Sequence, residues 1–310
     1  MAATLIGTIT IGTRASKLAL AQTNLVRDAL IAANPSLDVA VQHITTRGDI
    51  ILDRPLSAIG DKGLFVVEIE EAMRRGEVDL AVHSAKDLPS ELPDDMVLAV
   101  FPGRVDPRDA LISHNGRKLA ELPHGATVGT SSLRRACQLR ALRPDLQIRD
   151  LRGNVDTRLR KLHEGQYDAI VLAAAGLERL GLAAEVSEWL DPQQMLPAVG
   201  QGVLAIETRA GDQRVAALLA PLDDRQAREA ITAERAFLAQ IGGGCQIPVA
   251  AYAVHVADGL WVRGMIGARD GRMVCGERYG SLDQPEVLGR TLAHELLADG
   301  GRTLLAEVEG

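Results

Sequence analysis

The run VDLAVHSAKD ends in four polar side chains within five positions: His83, Ser84, Lys86 and Asp87. A carboxylate at a strand exit, beside an ammonium group, is ionised at neutral pH. It can hold an N–H-bearing substrate or offset positive charge that develops during a reaction. Other strand-like runs end in similar chemistry: Thr13, Arg14 and Ser16 after the first, Arg47 and Asp49 after the second, then Thr130, Ser131, Ser132, Arg134 and Arg135, and later Arg152 and Asn154. In open parallel sheets ligands sit beyond the carboxyl ends of the strands, so this pattern of cations and small hydroxyls predicts an anionic ligand. Residues 130 to 161 hold eight Arg, one Lys, three Asp and no Glu, a local balance of +6 in a chain whose formal charge is −7. A solvated basic face is the competing reading of such a run. Arg134 and Arg135 argue against it. They fall in the first turn of a helix, where the macrodipole disfavours cations, and a helix N-terminus with two guanidinium groups makes a carboxylate or phosphate receptor.

The anion class follows from what is missing. The sequence has no G-x-x-x-x-G-K-[ST] loop, and no G-x-G-x-x-G follows a strand. H-E-x-x-H and C-x-x-C are also absent, so no metal is expected. A polycarboxylate then fits better than a nucleotide. The three cysteines, Cys137, Cys245 and Cys275, are far apart, which suits a reducing compartment. Cys137 and Cys275 read as small buried hydrophobes. Cys245 stands out in IGGGCQIP, where glycines end a helix and project a thiol on a loop.

The elements that must position these residues alternate. Residues 4–12 read as a strand and 16–33 as a helix capped by Ser16. VAVQHITT is the next strand, followed by a lid-like loop over 47–63 and an amphipathic helix in LFVVEIEEAMRRG. A second block near 105–199 repeats the strand–helix alternation, which predicts parallel sheets of right-handed crossover units. The strand at 203–208 can return to the first sheet, making 103–107 and 197–202 a paired hinge. After a helix at 224–241, Asp258-Gly259 and Asp270-Gly271 mark hairpins between three strands, and a helix follows at 285–298. The boundaries expected are 1–103 with 200–220, 104–199, and 221–310. The start of the chain lacks secretory-signal character and no run spans a membrane, so a cytoplasmic protein is expected.

Nine motifs in order resemble the porphobilinogen deaminase (hydroxymethylbilane synthase) family: IGTRASKLALAQ, TTRGD, GDKGLFVVEIEEA, DLAVHSAKDLP, VGTSSLRRACQL, LRGNVDTRL, AAAGLERLGL, LPAVGQG and GGGCQIPVA. The resemblance implies two periplasmic-binding-protein-like α/β domains around a cleft, plus a small C-terminal α+β domain with an antiparallel three-stranded sheet. It implies a transferase that joins four porphobilinogen molecules head to tail into hydroxymethylbilane, releasing four ammonia, for tetrapyrrole and haem biosynthesis. It also implies a dipyrromethane cofactor, thioether-linked to Cys245. A thiol past a helix C-terminus is not favoured as thiolate, which suits an anchor alkylated once. Asp87 takes the catalytic position: it accepts pyrrole N–H bonds and stabilises the azafulvene cation left by ammonia. Lys86, Ser132, Arg134, Arg135, Arg152 and Asp87 fall where the family binds cofactor, and Arg14, Ser16, Lys62, Arg152, Arg158 and Arg179 where it binds substrate. The chain departs from the family in AIGDKG, where GGKG is expected; Asp61 sets a negative charge beside Lys62. A monomer that binds porphobilinogen, and neither nucleic acid nor membrane, is expected. The rival readings are a two-lobed anion-binding protein without catalysis, and an Arg-rich nucleic-acid module, which the acidic chain with 3% aromatics fits poorly.

Overall fold

A computed structural model describes residues 7–50, 65–242 and 247–309. They form three sheets. The first has the order β2-β1-β3-β10-β4, from β1 (Ile9–Thr13), β2 (Val39–His43), β3 (Leu80–Ser84), β4 (Met96–Val100) and β10 (Leu204–Arg209). The second has the order β7-β6-β8-β5-β9, from β5 (Asp109–Ser113), β6 (Thr127–Gly129), β7 (Gln147–Arg149), β8 (Ala169–Ala173) and β9 (Glu188–Leu190). The third is antiparallel: β11 (Val249–Val256), β12 (Gly259–Gly267) and β13 (Met273–Gly280).

The expected all-parallel sheets are mixed instead. β1 runs parallel to β2 and β3, but β10 returns antiparallel between β3 and β4. Likewise β6 is parallel to β7 and β8, while β5 is antiparallel to β8 and β9. Strands β4, β5 and β9 carry no flanking crossover pattern of their own, and only their partners across the sheet reveal them.

The described residues fall into two compact units: 7–50, 65–104 and 203–228 in one, and 105–202, 229–242 and 247–309 in the other. In the first unit, helix Lys17–Ala33 lays Val26 and Leu30 on one face of the sheet, against Ile9, Ile11 and Leu80. Helix Val67–Arg74 covers the other face with Ile69 and Met73. In the second unit, Leu139 of helix Leu133–Leu142 packs with Val128 and Val171. Leu159 and Leu162 of helix Val155–His163 pack with Ile112 and Ile170 on the opposite face. The three-stranded sheet buries Phe237, Leu292 and Leu296 against Val262 and Ile266. Both expected hairpins form, with β11–β12 and β12–β13 in continuous antiparallel register. No helix among the described residues is long and apolar enough to cross a membrane.

Cys137 is buried, as its reading required, but Cys275 is exposed. It lies on β13, whose one neighbour is β12, on the side of the pleat away from its half-buried neighbour Val274.

Candidate active site

Parallel pairing puts the exits of β1, β2 and β3 at one edge of the first sheet. The β1 exit is pinned by Thr23 Oγ1, which donates to Thr13 Oγ1 at 2.7 Å, and by Ser16, which caps the helix by accepting from the Ala19 N–H at 3.3 Å. Gln22 Nε2 on the same helix donates to Ser84 Oγ at 2.8 Å and so ties down the β3 exit. From there the chain makes a single 3-10 turn, Ala85–Asp87. Asp87 is exposed, and among the described residues nothing bonds its carboxylate. The structural ion pair that could have explained it away is therefore absent there. One turn back, His83 faces the interior: its Nε2 lies 3.0 Å from Oε2 of Glu207, which is fully buried.

The second sheet repeats the arrangement with cations. β6, β7 and β8 are parallel and share an exit edge. Ser131 staples two exits, its Oγ donating to the Leu151 carbonyl at 2.9 Å and accepting the Leu151 N–H at 3.0 Å. Ser132 is the N-cap of the next helix and accepts from the Arg135 N–H at 3.4 Å.

Arg134 and Arg135 do sit in that first turn, but both are buried, at 5% and 6% exposure. The anion against them is the protein's own Asp109, which lies at the start of a strand and so outside the strand-exit pattern. Arg134 Nη1 donates to Asp109 Oδ2 and to the Leu196 carbonyl, both at 2.7 Å. Arg135 donates to Asp109 Oδ1 from Nε at 3.0 Å and from Nη2 at 2.7 Å, and from Nη1 to the Val171 carbonyl at 3.0 Å. Asp109 also accepts from Gln201 Nε2 at 3.0 Å. The expected external carboxylate is therefore not the first partner of either guanidinium. A charge left unpaired in the interior would cost several kcal/mol, and Asp109 at the start of β5 removes most of that penalty. Burial by itself would raise the Asp109 pKa, but the two adjacent guanidinium groups outweigh it and hold the carboxyl well below the usual range. Two cations against this one anion leave one positive charge over.

Two further guanidinium nitrogens in the same unit are buried with no hydrogen-bond acceptor among the described residues: Arg152 Nη1 and Arg179 Nε. Arg152 lies in the β7 exit loop, just before Gly153. Gly153 has φ +114°, where a Cβ would also meet the Thr157 side chain at 2.8 Å. Arg158 braces that loop by donating from Nε to the Gly153 carbonyl at 2.7 Å. Arg179 ends helix Ala174–Arg179 and donates from Nη2 to the Gly202 carbonyl at 3.0 Å. Arg179 makes no ion pair among the described residues. Burial lowers its pKa, with the Glu178 charge opposing. Buried polar atoms are nearly always satisfied, and a guanidinium with an idle N–H suits an anionic oxygen. The chemistry of these donors fits a group bearing several carboxylates.

In the first unit Arg14 is held by Asp49 and stacked on Phe65, its Cζ 4.0 Å from the ring centroid. The loop expected over 47–63 begins as a short helix, Arg47–Ile50. Lys62 and Cys245 lie outside the described residues.

Two family models match this chain: porphobilinogen deaminase, dipyromethane cofactor binding domain, over residues 9–217, and porphobilinogen deaminase, C-terminal domain, over residues 228–298. The porphobilinogen deaminase of Roseiflexus castenholzii (strain DSM 13941 / HLO8) is 72% identical over 298 residues, covering 96% of this chain and 98% of the relative. That of Brevibacillus brevis (strain 47 / JCM 6285 / NBRC 100599) is 53% identical over 299 residues, 96% of each chain. Among solved structures, the BvgS periplasmic VFT2 domain of Bordetella pertussis is similar at a TM-score of 0.42 and 16% identity, over 70% of this chain and 87% of that one.

Proposed function

This chain belongs to the porphobilinogen deaminase family, and from that premise we propose which of its residues carry the family's reaction. The activity is that of hydroxymethylbilane synthase: four porphobilinogen molecules are joined head to tail on a dipyrromethane cofactor with loss of four ammonia, and one water supplies the hydroxyl of the released product. When bound, the cofactor supplies the fixed pyrrole end to which the first substrate is joined.

In our reading Cys245 anchors the cofactor. Arg152, Lys86, Ser132 and the surplus charge of the Arg134–Arg135–Asp109 cluster hold its acetate and propionate groups. Arg14, Ser16, Lys62, Arg158 and Arg179 take substrate carboxylates. Asp87 accepts the pyrrole N–H of the substrate and, as ammonia leaves, its charge offsets the positive charge that develops next to it. A carboxylate committed to no ion pair among the described residues meets that requirement. The same reading divides the chain at 1–103 with 200–220, 104–199 and 221–310, one sheet to each part. It describes a cytoplasmic monomer that does not bind nucleic acid, in keeping with a formal charge of −7.

The observation that carries this assignment is the pair of buried guanidinium nitrogens, Arg152 Nη1 and Arg179 Nε, that have no acceptor among the described residues. A charge-assisted hydrogen bond contributes about 1.5–3 kcal/mol, so Arg179→Gln should raise KM for porphobilinogen on the order of tenfold or more. Arg152→Leu should reduce the cofactor retained on purified protein, read as Ehrlich's-reagent colour per mole of chain. Unchanged KM in the first variant together with full colour in the second would reject the assignment.

A further inference from the structure

Arg14 is not a loose surface cation. Asp49 accepts from its Nε through both carboxylate oxygens, at 3.1 Å each, and from Nη2 through Oδ1. Asp49 is itself held from behind: fully buried Thr46 donates its hydroxyl to Oδ2 at 2.8 Å and its N–H to the same oxygen at 3.4 Å. Phe65 covers one face of the guanidinium. Phe65 in turn lies on bare backbone at Gly48, where a Cβ would come within 2.1 Å of the ring. A guanidinium has two edges able to grip a carboxylate. Asp49 occupies the Nε–Nη2 edge, and Nη1 has no acceptor among the described residues. The Arg14 side chain stays 21% exposed.

We infer that Asp49 is the positioning residue for Arg14: with Thr46 behind it and Phe65 beneath the guanidinium, it fixes which edge of that cation meets a carboxylate of porphobilinogen. This rests on the reading of Arg14 as a substrate contact. Burial opposes ionisation of Asp49, but the bonds from Arg14 and Thr46 outweigh it and lower its pKa, so the clamp is charged at neutral pH. The pair is formally neutral. It therefore adds little field and acts through direction, which sets a sign that charge alone would reverse. Removing Asp49 adds one positive charge beside the site. If charge dominated, an anionic substrate would bind more tightly; if orientation dominates, it binds more weakly.

The test is steady-state kinetics of the cofactor-loaded Asp49→Ala enzyme, with Asp49→Asn as the conservative variant. The expected result for Asp49→Ala is a KM for porphobilinogen raised on the order of tenfold, since misplaced contact groups cost that much or more, with kcat changed by about twofold or less. Asp49→Asn, whose amide oxygen still accepts from Arg14, should recover most of the loss. A KM that is unchanged or lower, a fall confined to kcat, or an Asn variant as weak as the Ala variant would each overturn the inference. Arg14→Leu separates the two claims. If its KM is normal, the reading of Arg14 falls; if its KM rises while that of Asp49→Ala does not, only the role of Asp49 falls. Should Asp49→Ala fail to load cofactor, Thr46→Val removes only the hydroxyl behind Asp49. It should raise KM in the same direction by less, and no rise would overturn the inference.

Discussion

Asp87→Asn should lower turnover by about 10²–10³-fold, the scale of losing one preorganised electrostatic partner. The substitution keeps the volume and one acceptor oxygen and deletes only the charge. Because Asp87 is exposed and bonds nothing among the described residues, its removal breaks no native contact there. Exposed substitutions of this kind stay within about 0.5 kcal/mol of the parent, so the thermal midpoint should not move. The two readouts together separate a chemical role from a structural one. Near-normal turnover would reject the role given to this carboxylate, and a large thermal shift would reassign it to the fold.

The second large effect is on stability. Asp109 is fully buried between two guanidinium groups. Asp109→Asn preserves the shape and leaves both cations without an anion. Breaking a buried pair by removing one partner costs about 3–5 kcal/mol, which should lower the apparent melting temperature by about 10 °C. The pH dependence has a defined sign. The folded-state pKa of Asp109 is depressed, so its stabilisation is complete above the ordinary aspartate range near 4. It fades as pH falls from there toward the much lower folded-state value. The Asn variant should therefore lose less stability than the parent between about pH 4 and pH 2. Equal melting temperatures at neutral pH would show that the guanidinium groups have another buried anion.

What could be read in the sequence was local. Ser16 caps the helix it was expected to cap because an N-cap needs only its own side chain and an N–H three residues on. The hairpins at Asp258-Gly259 and Asp270-Gly271 and the strand exits of β1, β3, β6 and β7 were legible for the same reason. What stayed hidden was partnership across long separations. Asp109 opens β5, 25 residues before Arg134, which lies on a helix. The breach of the macrodipole rule at Arg134 and Arg135 marked a special place, but not that an internal carboxylate stood there. A clue existed in DPRDALIS, an aspartate opening an apolar run, which is an expensive residue at the start of a buried strand unless it is paired. Arg14 was likewise visible as a cation at a strand exit, while its clamp of Asp49, Thr46 and Phe65 depends on how residues 46–49 and 65 fold back on β1. The return of β10 to the first sheet was legible, but its antiparallel direction between β3 and β4 was not, because direction is set by pairing with strands more than a hundred residues upstream.

The central claim is that this chain works on a pyrrole primer tethered through one thiol. Intact mass measurement of the purified, denatured protein tests it most directly. The mass should exceed that of the chain by one two-pyrrole group, carried by the peptide containing Cys245 and absent from Cys245→Ser. The bare chain mass in the active enzyme, or the adduct on Cys137 or Cys275, would contradict it.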